Sequence, residues 1–178
     1  MAISNTGKAV LVWGLMALIG WGAIGLSILA KVPFDFGIGF FASSLLWWSV
    51  LILIAFVATY QWIPGKPWKN KTVQVWVGIV IIGMLENYLN FAGFIPAPLN
   101  QYSYFHLWLL LTGIGFFLTI KTWGGDSVPY YAAAGVLNVG LLILMLLQID
   151  FVVQNNLLLA GIVQGIPTIA DALQNYKA

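Results

Sequence analysis

The chain has no cysteine, which removes disulfides, thiolate metal sites, redox pairs and a cysteine nucleophile together. Histidine occurs once, at His106, so bis-histidine haem ligation is excluded. A zinc or copper ion would have to find its other ligands among carboxylate, amide or phenol oxygens. No metal site is expected, and nothing specifies a cofactor. Charge is scarce as well, at 7% of residues against about 25% in a soluble domain. Seven lysines against five acids leave a net charge of +2, too weak a basic field for nucleic acid. The H-x-x-x-H, H-E-x-x-H and G-x-S-x-G patterns are missing, as are lipidation signatures. Gly124-Gly125 lacks the lysine and spacing of a phosphate-binding loop. A serine hydrolase would have to assemble Ser103 or Ser43 with His106 and a carboxylate by folding alone.

What the chain has instead is apolar length. Hydrophobic residues make up 61% of it, and the mean hydropathy is +0.95. The 178 residues are used almost entirely by apolar runs, which leaves no segment for a soluble core. The expected fold is all-α: a polytopic integral membrane bundle of about six transmembrane helices, forming a single domain over 1–178. Runs at 9–30, 38–61, 73–94, 102–120 and 129–149 are each near the ~20 residues that a bilayer requires. The first is too long for a secretory signal and has no A-x-A-like exit, so it reads as a retained span. Its Gly20, Ala23, Ser27 and Ala30 make a smooth face for another helix.

The sixth segment, 150–178, is amphipathic. Gln164, Thr168, Asp171 and Asn175 form a polar stripe at helical spacing, and Pro167 is expected to bend the helix. Such a helix lies in the interface or spans with its stripe turned inward. The Gly161-x-x-x-Gly165 pattern favours a packed span, with Gln164 and Thr168 against Asn138 or the first helix.

Lysine placement gives an expected orientation. Lys66, Lys69 and Lys71 cluster in the Pro64 to Thr72 loop, which the positive-inside rule makes cytoplasmic together with the N-terminus, Lys8 and Lys121. Lys177 follows inside, and Lys31 and the 95–102 joint face outward. The same lysines could hold anionic lipid headgroups.

The stretch 73–121 carries the candidate site. Glu86 is the lone glutamate, and it shares a depth of roughly 6 to 13 Å from the outer joint with His106. Asn87 adjoins Glu86, and Asn90 lies one turn on; Tyr102, Ser103 and His106 make a matching patch on the next helix. A carboxyl and an imidazole at one depth can satisfy each other or share a proton, so Glu86, Asn87, Asn90, His106 and the mid-span Asn138 are the ligand- or proton-binding candidates. The plainer reading makes Glu86 and Asn138 interhelical glue. Trp47 and Trp48, near mid-span, pack or line a pocket.

Three functions stay open. A non-catalytic membrane subunit or homo-oligomer would seal Glu86. A small-solute or proton-linked transporter would join Glu86, Asn90, His106, Asn138 and the sixth-helix stripe by a cavity. An intramembrane enzyme acting on a lipid, isoprenoid or quinone would have an apolar side entrance. Partners are expected to be membrane lipids and other membrane subunits or further copies of itself.

Overall fold

The computed structural model describes residues 3–100, 102 and 105–176. It is all-helical: α1 (Asn5–Leu29), α2 (Phe40–Trp62), α3 (Lys71–Phe91), the single turn α4 (Ala97–Asn100), α5 (Phe105–Thr122), α6 (Val128–Leu146) and α7 (Asp150–Asn175). Six helices are long and apolar enough to cross a membrane, the sixth of them being α7. Ser103 and Lys177 lie outside the described residues.

Local chemistry explains where the helices stop. At one end of the bundle α1, α3 and α6 finish in the same way, with a left-handed residue at Lys31 (φ 56°), Gly93 (φ 78°) and Gln148 (φ 55°). The next amide then reaches back over the last turn: Val32 N donates to Ser27 O, Phe94 N to Leu89 O and Ile149 N to Leu144 O. At the other end, the lysine end, Asn70 caps α3 by accepting from Thr72 N (2.9 Å) and Val73 N (3.2 Å). The two chain ends meet there too, since Ser4 N donates to Tyr176 O at 2.7 Å.

The six long helices form a ring in the order α1, α2, α3, α5, α6, α7, with α7 closing on α1. α1 and α7 make the most intimate pair, and α2 and α3 the sparsest. Two glycines allow the first. A Cβ on Gly165 would stand 2.8 Å from Gly14 O, and one on Gly14 would stand 2.9 Å from Ile169 N, so the backbones approach where side chains are missing. The small face named from the sequence is thereby redistributed. Gly20 receives the Trp48 ring of α2, Ser27 bonds its own helix at Ile24 O, and Ala30 is exposed; the close approach to α7 falls on Gly14 and Gly25.

Candidate functional site

Inside the ring lies a cavity of ≈ 110 Å³. It runs from mid-bundle, at Trp21, Trp48, Trp108 and Gln164, to the lysine end at Ile63, Thr72 and Trp123. Six tryptophans wall it: Trp13, Trp21, Trp48, Trp76, Trp108 and Trp123. For scale, an engineered apolar cavity of about 150 Å³ stays dry and accepts benzene.

The wall is apolar because its polar edges are already used. Thr59 donates its hydroxyl proton to Ala55 O (2.8 Å) one turn back, which leaves a lone pair that accepts from Trp13 Nε1 (2.8 Å). Thr119 repeats the device, donating to Gly115 O (2.8 Å) and accepting from Trp76 Nε1 (3.0 Å). The rings then lock one another: Trp21 and Trp48 lie 4.6 Å apart, Trp48 and Trp108 stack at 6.5 Å, and Trp76 meets Phe116 edge-on at 5.1 Å. Such pairs each add about 0.5–1.5 kcal/mol beyond burial. Trp48 differs from its neighbours. It is 7% exposed, and its indole N–H has no partner among the described residues.

Mid-bundle, a buried polar network ties four helices together. Gln164 of α7 accepts from Trp21 Nε1 (3.0 Å) and donates to Asn138 Oδ1 (2.9 Å) and Thr112 Oγ1 (3.2 Å). Asn138 Nδ2 donates to Ala134 O at 2.8 Å. Both amides are thus engaged within the protein, and the α7 stripe faces the interior, with Gln164 and Thr168 buried and lining the cavity.

The other residues singled out in the sequence lie toward the opposite end from the lysines. Asn87 is buried between α3 and α5; with its amide turned to satisfy both neighbours, its oxygen accepts from Trp108 Nε1 (2.8 Å) and its nitrogen donates to Glu86 Oε2 (3.0 Å). Glu86 therefore acts on the cavity wall through Asn87. Asn90 is half-buried at the end of α3, where its carbonyl accepts from Gly93 N (3.0 Å). His106 packs edge-on to Tyr102 (5.6 Å), and its Nδ1 is buried without a partner among the described residues. The described contacts include no hydrogen bond or ion pair between Glu86 and His106. Among the described lining residues of the cavity are none of Glu86, Asn87, Asn90, His106 or Asn138.

Compared with known proteins, the chain matches no family description, no curated protein and no solved structure. Its own geometry is the guide. Of the wall, the sequence pointed to Trp48 as a packing or pocket residue but gave no site role to Trp13, Trp21, Trp76, Trp108 or Trp123, nor to Asp171 beyond its place in the α7 stripe. That carboxyl is fully buried on α7: Oδ1 accepts from Asn175 (2.7 Å), while Oδ2 has no partner among the described residues. A signal for the wall existed in the threonines on α2 and α5, which offer the tryptophans acceptors inside an otherwise apolar bundle. Outside the long helices, burial pushes the Tyr176 phenol up to about 12, and the negative charge of nearby Asp171 adds to it. In the loop before α2, the backbone N–H of Gly39, with those of Ile38 and Gly37 and the Ser43 hydroxyl, holds the Asp35 carboxyl below its ordinary value.

Proposed function

We propose that the six helices cross a membrane, with the lysine end in the cytoplasm, and that the protein is a non-catalytic multi-pass membrane protein. It binds in its cavity an apolar molecule carrying an acceptor oxygen, of the class of quinones and aromatic ketones. The observation that carries this reading is Trp48, whose ring walls the cavity while its buried N–H lacks a partner among the described residues. An unmet buried donor costs about 1–3 kcal/mol, and a ligand oxygen that reached this N–H would recover that energy. Aromatic faces suit a flat unsaturated guest. The described lining carries threonine hydroxyls, one amide and the Tyr131 phenol, but no carboxyl or imidazole to act as acid or base, which favours binding over catalysis. In this reading Glu86 and Asn87 are positioning residues for Trp108, and Asn138 is glue.

The test compares 2-methyl-1,4-benzoquinone with toluene, which has the same ring and methyl group without oxygens. Thermal unfolding of the detergent-solubilised protein reports binding, because a ligand of the folded state raises Tm. The quinone is expected to bind more tightly, and Trp48→Phe to weaken it about tenfold, while the hydrocarbon is unaffected. Equal affinity of the two compounds for both proteins would refute the role of Trp48; absence of any shift would refute binding.

A further inference from the structure

The cavity has a neighbour on the outside of the ring. A groove of ≈ 370 Å³ lies between α2 and α3 at the lysine end, and Phe56, Thr59 and Val73 line both the groove and the cavity. Three residues are therefore the partition between the interior and the outer surface. The partition stands at the sparsest seam of the ring, so moving it disturbs the fewest packed atoms. The groove is also lined by Val57, Tyr60 and Val77 of the two helices and by Pro67 and Trp68 of the segment that runs through Lys66 and Lys69 to Lys71 at the start of α3. All three lysines are exposed, and among the described residues none makes an ion pair. From Trp48 to Ile63 along α2 the space extends for about 22 Å at 1.5 Å per residue. That length exceeds a single ring by many methylenes.

Resting on the binding reading above, we infer that the ligand is an elongated anionic amphiphile that enters sideways through the α2–α3 seam, from the leaflet at the lysine end. Its unsaturated body lies against the tryptophans, its tail crosses the partition at Phe56, Thr59 and Val73, and its acidic group stays at Lys66, Lys69 and Lys71. The arrangement follows from charge and solvation. The chain from Trp62 to Val75 has no acid to offset its lysines, so this rim is cationic. An apolar body gains by leaving lipid only where it meets better partners, whereas its charged group remains at the interface and avoids desolvation. A ligand entering from water along the ring axis would have no use for the groove.

Three probes in neutral phosphatidylcholine vesicles separate the possibilities, with quenching of tryptophan fluorescence as the readout. One is 2-methyl-1,4-benzoquinone; the others carry a ten-carbon chain on the same ring, ending in a carboxylate or in an alcohol. The carboxylate probe is expected to bind about five- to tenfold more tightly than the alcohol, as one to two lysine contacts at a membrane surface allow. Replacing Lys66, Lys69 and Lys71 by Gln should erase that preference and leave the plain quinone unchanged. Val77→Trp fills the groove outside the cavity, and should slow association of both chain-bearing probes at least tenfold; Val77→Ala should speed it. Equal binding of carboxylate and alcohol, or association rates indifferent to both Val77 variants while the plain quinone still binds, would overturn the inference. Failure of the plain quinone itself would instead overturn the binding reading.

Discussion

Two seams of the same ring are built in opposite ways. Along α1 and α7 the backbones touch, with a Gly165 Cβ position only 2.7 Å from Leu18 Cβ and 2.8 Å from Gly14 O. Along α2 and α3 the helices barely meet, and a groove stands where side chains would interlock. The first seam is bordered by the Gln164 network and lines the cavity; the second separates the cavity from the outer groove. In lipid, where apolar side chains gain little by leaving the tails, tight helix association needs close packing or hydrogen bonds. The α1–α7 seam has both. The α2–α3 seam is spanned by Ser49 and Tyr88, whose hydroxyls lie 3.1 Å apart, and by the stacked rings of Phe41 and Phe91 at 5.7 Å. Tightness is thus concentrated at one seam, and the other is held by these few contacts.

The sharpest way to break this contrast is to add one carbon to the tight seam and one to an open face of α3. Gly165→Ala should cost about 2–3 kcal/mol, because the new methyl meets backbone that cannot yield. Gly78→Ala on α3 meets nothing within 4 Å and should be neutral or stabilising, since alanine is the better helix former. Thermal melts in detergent give the comparison, and equal losses at both positions would dissolve it. Next in size is Gln164→Leu, which removes both amide bonds and strands the Trp21 N–H; a loss of about 1–3 kcal/mol is expected. Paired with Asn138→Leu it should be strongly non-additive, as for residues of one network. Additive losses would mean that the network is not a unit.

On the loose side, Val77→Leu should change stability by no more than about 0.5 kcal/mol, because the groove has room for it. A loss as large as that of Gly165→Ala would show the seam to be packed after all. The smallest effect concerns the loop that connects the two seams. Asp35 has a folded pKa below its ordinary value of 3.8, so its contribution is complete above that value and is lost as the pH falls through the lower folded one. The amide resonances of Gly37 and Gly39 should titrate with a midpoint below 3.8, and with no effect on Tm at neutral pH. A midpoint at or above that value would mean that the backbone cap does not form in solution.

Much of the fold was legible because helix length and apolar content are local properties. The runs read as spans recur as helices within a few residues: 38–61 appears as Phe40–Trp62, and 129–149 as Val128–Leu146. The polar stripe of α7 and its Gly161-x-x-x-Gly165 pattern pointed inward for a physical reason, since an amphipathic helix that spans must hide Gln164 and Asp171. The candidate site was less legible. Rarity of charge drew attention to Glu86 and His106, because an isolated carboxyl and imidazole stand out in an apolar sequence. Tryptophans do not stand out there, being as compatible with lipid or packing as with a cavity.

Composition and periodicity by themselves determined that this chain is helical, about how many long helices it has, where each lies to within a few residues and which face of α7 must be covered. Only the tertiary structure decided that α7 docks on α1, that Asn87 turns to Trp108, and that six tryptophans from α1, α2, α3, α5 and the turn after α5 surround one space. The reason is that a cavity belongs to no helix. It is the volume left when glycines bring some backbones together and bulky rings hold others apart, and that difference exists only between elements distant in the chain.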